Sequence, residues 1–315
     1  MIVLAIVVFG FIGINTDWEN TIQSIKNANY VMIGFGSLTM VAAHFLRAYR
    51  WNMLTETANY TLNHRRTFYS VMVGYLVNAA TSRGGEVVRC ALTTKSEKVP
   101  VEILIGTVIT ERIIDLIFMA IMAVLCLLLQ FDQFFGFANQ YVFTPVLNNL
   151  WVLIFIPVFA IIAVVAWKKL IKGSQNNQDS LIGRLMMGIK SIFQLKNPFM
   201  FALISLGIWV GYWVGMYFQL QALGITEHFT IANALGLLMF SAVGVVIPLP
   251  GGAGVWAVIA YGLEFIYHMD HAQSQTFGIF NIAFSNIFHI AIGAICYLLL
   301  FLEIQKLDAK NKISG

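Results

Sequence analysis

Six charged side chains fall in stretches otherwise rich in apolar residues, in two groups: Arg83, Glu86 and Arg89, then Glu111, Arg112 and Asp115. Glu86 and Arg89 stand three apart, as do Arg112 and Asp115, while Glu111 and Asp115 stand four apart, so on helices these pairs share or adjoin a face. A charge at the centre of a membrane-spanning helix costs about 2.5–3.5 kcal/mol on insertion scales, so such groups face a cavity or one another. Three guanidiniums against three carboxylates allow two arrangements that can coexist. In the first, the charges pair into a neutral buried network that fixes neighbouring helices. In the second, the arginines make forked contacts to a phosphate, and the carboxylates orient them or receive a cationic substituent. Asn78, just upstream, adds an amide to the same stretch.

The elements that must hold these residues are unusual. An apolar segment, 68–77, is too short to cross a bilayer, and a second short segment begins after Gly84-Gly85. Two half-length segments meeting at a glycine break predict a broken, re-entrant helical hairpin (67–80 and 84–94). Irregular backbone at membrane depth is tolerated only where protein or a water-filled cavity surrounds it. A second break follows at Pro248-Leu249-Pro250-Gly251-Gly252-Ala253-Gly254, between apolar segments 231–247 and 255–267. Two prolines and three glycines in seven residues cannot continue a helix. That turn reads either as a loop needing unusual backbone angles or as half-helix amides that bind an anion.

The composition supplies the setting. Of 315 residues, 59% are hydrophobic and 11% charged, against roughly 25% charged in a soluble domain. The expected fold is an all-α polytopic membrane protein, one domain over 1–315, with about six spanning helices and the two re-entrant hairpins. The spans fall at 1–14, 30–46, 100–130, 145–167, 198–223 and 276–302. The first is short of the roughly 20 residues a span needs, so it either extends into residues 15–18 or continues upstream. Residues 131–143 read as a polar-aromatic loop. Basic residues crowd into 47–66, 168–198 and 303–315, and 15–29, 131–144 and 224–230 hold almost none. Basic loops stay cytoplasmic, which places the C-terminus in the cytoplasm and sends the hairpins in from opposite sides. Span–hairpin–span then occurs twice, at about 30–130 and 198–302, joined by a basic linker at about 168–198. This is the inverted-repeat organisation of transporters, with the site where interrupted segments meet.

Other polar residues read more plainly. The net charge of +4 lies in loops beside helix ends and is no nucleic-acid signal. Arg47, Arg50, Arg65 and Arg66 read as interface anchors, of which Arg47 and Arg50 could greet anionic head groups at the surface. His44, His228, His268, His271 and His289 have no metal spacing and read as solvated or packed; Cys90, Cys126 and Cys296 read as small buried hydrophobes. No cofactor or metal is implied.

Four motifs in order resemble the transmembrane domain of lysyl-phosphatidylglycerol synthases/flippases and its stand-alone bacterial and archaeal relatives. They are Arg47-Ala48-Tyr49-Arg50-Trp51, Asn78 with Arg83-Gly84-Gly85-Glu86-Val87-Val88-Arg89, Glu111-Arg112 with Asp115, and the turn from Pro248 to Gly254. The resemblance covers nearly the whole chain. Two positions depart from the pattern: Thr81 stands where the family usually has proline, and Ala257 where many members carry glutamate. The resemblance implies two re-entrant hairpins and translocation of a lipid, which in two-part members a separate cytosolic domain aminoacylates. This chain carries no such domain and is not expected to make lysyl-phosphatidylglycerol itself.

The expected function is a flippase-like transporter in the bacterial or archaeal cytoplasmic membrane. Its partner is a membrane lipid, with Arg83, Arg89 and Arg112 on the phosphate and Glu86, Glu111 and Asp115 orienting them. Gly84, Gly85, Pro248, Pro250, Gly251, Gly252 and Gly254 form the hairpin turns. A membrane-embedded enzyme acting on a lipid-linked substrate, such as a polyprenyl-phosphate sugar transferase, is the alternative; a scaffold for a lipid-modifying enzyme is a third.

Overall fold

The computed structural model describes residues 16–81, 84–139, 191–247 and 249–314. The expected spans 1–14 and 145–167, most of the basic linker, and Arg83 and Pro248 lie outside the described residues. Among those described there are ten α-helices and no strand. In chain order they are α1 (Trp18–Lys26), α2 (Tyr30–Glu56), α3 (His64–Ala80), α4 (Gly85–Glu97), α5 (Val101–Leu129), α6 (Phe131–Ala138), α7 (Pro198–Ala222), α8 (Ile231–Val246), α9 (Ala253–Phe265) and α10 (His271–Ser314).

Among the described residues, four helices are long and apolar enough to cross a membrane: Tyr30–Glu56, Val101–Leu129, Pro198–Ala222 and His271–Leu307. Their outer faces are apolar, with Leu116, Ile117, Ile121, Val124 and Leu128 exposed along α5. Without water between them, such helices associate through close packing of small residues. Gly207, Gly211 and Gly215 recur every four residues on α7 and let α2 approach. A Cβ on Gly215 would lie 2.9 Å from Thr39 Oγ1, and one on Gly211 3.2 Å from Ala43 Cβ.

The two expected breaks are present, and each joins a pair of short helices packed on one another, α3 with α4 and α8 with α9. At 17 and 13 residues, and 16 and 13, these helices reach about 20–25 Å, short of the roughly 30 Å hydrocarbon layer. Each pair crosses at two glycines. A Cβ on Gly74 would come 2.9 Å from the Gly85 carbonyl oxygen, and one on Gly85 would overlap the Gly74 carbonyl. In the second pair, a Cβ on Gly254 would come 2.6 Å from the Gly244 carbonyl oxygen. Gly251 and Gly252 hold φ of 65° and 79°, the left-handed region that glycine reaches without penalty.

The pairs open toward opposite ends of the bundle. Arg66 near the start of α3 meets Glu97 at the end of α4 (2.9 Å) and Glu303 on α10 (3.8 Å). At the other end, Gln130 after α5 accepts from Asn233 near the start of α8 (3.3 Å) and from Tyr267 just past α9 (2.8 Å).

Three expectations are corrected. The helix expected at 30–46 runs on to Glu56, because Arg47 and Arg50 are neutralised inside the bundle and need not mark its end. Residues 131–138, expected as loop, form α6. The last helix extends beyond 276–302 at both ends, to His271–Ser314.

Candidate functional site

Glu111 is the hub of the charged cluster. Fully buried on α5, it takes Arg89 from α4 on one carboxylate oxygen (2.6 Å) and Arg47 and Arg50 from α2 on the other (3.1 and 3.2 Å). Asp115, one turn along α5, accepts from Arg50 on Oδ1 (2.6 Å) and from Arg47 on Oδ2 (2.5 Å). An arginine pair three apart on α2 thus faces a carboxylate pair four apart on α5, the spacing that aligns side chains on a helix face. Arg50 also donates to Ser205 on α7 (3.3 Å), and Arg47 to the Tyr75 hydroxyl on α3 (2.5 Å). Arg89 lies over the Trp51 ring at 4.6 Å, a cation–π contact that strengthens when shielded from water. Arg112 stands at the edge, half-buried, with Glu86 at 3.4 Å and Asp115 at 3.5 Å.

The cluster therefore joins residues expected together with two that were not. Arg89, Glu111, Arg112 and Asp115 meet as the sequence suggests, with Glu86 reached through Arg112. Arg47 and Arg50, expected at the membrane surface, are buried within it, since two carboxylates opposite them replace water. A readable signal existed: two basic residues three apart near the end of one apolar helix match two acidic residues four apart inside another. Among the described residues four guanidiniums face three carboxylates, one net positive charge; the neutral balance expected counted Arg83, which lies outside them, and neither Arg47 nor Arg50.

A cavity of about 450 Å³ opens beside the cluster, between the two short-helix pairs and walled also by α2, α5, α7 and α10. Arg47, Arg89, Arg112 and Glu86 line it, and Glu111 and Asp115 do not. Glu111 and Asp115 thus stand behind, with Arg50, while Arg47, Arg89 and Arg112 stand in front beside Glu86. Arg89 Nε is buried without a hydrogen-bond partner. Asn78 also lines the cavity, but its Oδ1 accepts the Gly85 N–H at 2.9 Å, so part of its role is to close the α3–α4 turn. At the second turn, Gly251 and Gly252 line the cavity, and Asn286 on α10 donates to the Gly251 carbonyl at 2.7 Å. Gly84 caps α4 without a side-chain bond, as does Gly252 for α9.

Sequence reasoning read His44 and His289 as solvated or packed and passed over Tyr75, which joins them on the wall. His44 on α2 and His289 on α10 meet through their Nε2 atoms at 3.1 Å, a bond needing one ring as donor and one as acceptor. Tyr75 stacks on His289 with ring centroids 4.7 Å apart. The other four histidines, His64, His228, His268 and His271, are exposed; His64 meets Asn52 at 2.7 Å and His271 meets Glu264 at 2.8 Å. Among the described residues no three His, Cys, Asp or Glu side chains gather as a metal site, and the three cysteines are buried and unbonded.

The UPF0104 membrane protein MJ1595 of Methanocaldococcus jannaschii is 26% identical over 113 residues, a match covering 34% of this chain and 32% of that relative. No solved structure matches the chain. The lysylphosphatidylglycerol synthase TM region matches residues 1–293, nearly the whole length, and the chain belongs to that family of membrane-embedded domains.

Proposed function

We propose that this protein is a flippase-like transporter that carries a phospholipid between leaflets, with the lipid phosphate held by Arg47, Arg89 and Arg112. The observation that carries the reading is the layering of charge, with guanidiniums on the cavity wall and Glu111 and Asp115 behind them. Arginine forks match phosphate geometry, and preformed pairing keeps them oriented before the ligand arrives. Both oxygens of each rear carboxylate already accept from arginines, which suits them to positioning more than to acid–base chemistry.

The surrounding elements support the same reading. The cavity volume of about 450 Å³ lies in the roughly 300–1,000 Å³ range of small-molecule pockets, room for a head group while acyl chains stay in the bilayer. In this reading α3–α4 and α8–α9 are re-entrant hairpins entering from opposite sides. The segments 30–130 and 198–302 are then inverted repeats, and alternating access would rock one against the other. The basic end of the molecule, with the end of α10, would face the cytoplasm of a bacterial or archaeal cell.

Reconstitution into liposomes with a head-group-labelled anionic phospholipid tests this. Wild type should bring the label across within the assay time, and Arg112→Gln, at a half-exposed position, should slow it about tenfold or more while leaving thermal unfolding unchanged. Equal rates for wild type, variant and protein-free vesicles would overturn the proposal.

A further inference from the structure

The two halves of the chain furnish the cavity unequally. Every Lys, Arg, Asp or Glu among its described lining residues comes from the first half: Arg47, Glu86, Arg89 and Arg112. The second half contributes neutral hydrogen-bonding groups, chiefly Gln219 on α7, Ser241 on α8, and Asn281, Ser285 and Asn286 on α10. Its one lining imidazole, His289, is engaged with His44. We infer that the transported head group is anionic at its phosphate and uncharged beyond it, bearing hydroxyls as a glycerol or a sugar does. The inference rests on the transport reading above and specifies its substrate class.

Gln219 and Asn281 carry the argument. Both are at least nine-tenths buried, and the Asn281 amide donates to Gln219 Oε1 at 2.8 Å. That bond leaves an acceptor on Asn281 and N–H donors on Gln219, a combination that a hydroxyl satisfies because it both donates and accepts. An ammonium only donates. A lysyl head group would bring two ammonium groups to a cavity whose one described lining carboxylate, Glu86, already faces Arg112 at 3.4 Å. Three guanidiniums on the opposite wall would repel them. Like-charge juxtaposition and an unpaired buried charge are the usual means by which a site rejects a wrong partner.

The experiment uses the full chain in liposomes and four head-group-labelled lipids: phosphatidylglycerol, phosphatidic acid, phosphatidylethanolamine and lysyl-phosphatidylglycerol. Phosphatidylglycerol should cross roughly tenfold or more faster than the lysylated lipid. Asn281→Asp, which sets a carboxylate in the second half at constant shape, should narrow or reverse that preference while the protein stays folded. Lysyl-phosphatidylglycerol crossing as fast as phosphatidylglycerol would overturn this inference and leave the transport reading standing. If none of the four lipids moves, the transport reading falls and the substrate class with it.

Discussion

Glu111 faces four guanidiniums, Arg47, Arg50, Arg89 and, at 3.6 Å, Arg112, that would otherwise repel one another inside the bundle. Removing one partner of a buried ion pair leaves an uncompensated charge and destabilises by about 3–5 kcal/mol. Glu111→Gln should therefore fall near that range, read as a large drop in thermal unfolding temperature and in monodisperse yield from detergent. Replacing Arg50 as well, with Leu at both positions, should recover part of the loss, because the uncompensated charge goes with it. An unchanged melting temperature for Glu111→Gln would show that water or lipid head groups already satisfy the arginines. Here the sequence was informative in one direction only. Glu111, Arg112 and Asp115 stand out inside an apolar helix, whereas Arg47 and Arg50 follow an apolar run and so mimic its end. Hydropathy cannot distinguish an arginine at the membrane surface from one met by a carboxylate sixty-odd residues away.

The short-helix pairs depend on glycine where backbones touch. The breaks themselves were legible, because Gly84-Gly85 and the run from 248 to 254 interrupt apolar segments. Their partners, Gly74 and Gly244, were not, since each lies inside a continuous helix and only the crossing reveals its use. Gly85→Ala and Gly254→Ala should each destabilise by about 1–3 kcal/mol, as overpacking does in tight cores, because the added methyl meets a backbone carbonyl that cannot rotate away. Gly224→Ala is the internal control, as nothing lies within 4 Å of a Cβ there. Differential scanning fluorimetry of the three variants in one detergent checks the order. If Gly85→Ala melts with Gly224→Ala, the α3–α4 contact is looser than the geometry requires.

Across the whole molecule, the distribution of basic residues suggests an orientation, and side-chain contacts mark the two ends of the bundle. Arg66, Glu97 and Glu303 gather at one end, Gln130, Asn233 and Tyr267 at the other. Helix lengths beyond the obvious apolar cores were less legible, because tertiary partners, as at Arg47 and Arg50, set where polar residues can remain helical. What re-entrance adds is depth. If re-entrant, the paired helices of 17 and 13 residues would have a turn that stops within the bilayer, whereas two complete spans would bring the turn out on the far side. Single-cysteine labelling separates these cases, against a low background from buried Cys90, Cys126 and Cys296. Thr61→Cys and Lys95→Cys, at exposed sites flanking α3–α4, should react with a bulky impermeant maleimide from the cytoplasmic side. Glu227→Cys and Gln273→Cys, exposed around α8–α9, should react from the opposite side. Ala79→Cys and Leu249→Cys, which line the cavity beside the turns, should resist the bulky reagent from both sides and yield only to a small thiosulfonate that can enter the cavity. Ala79→Cys reacting with the bulky reagent from outside as fast as Glu227→Cys would make α3 and α4 full spans, and the two-hairpin transport architecture would fail with it.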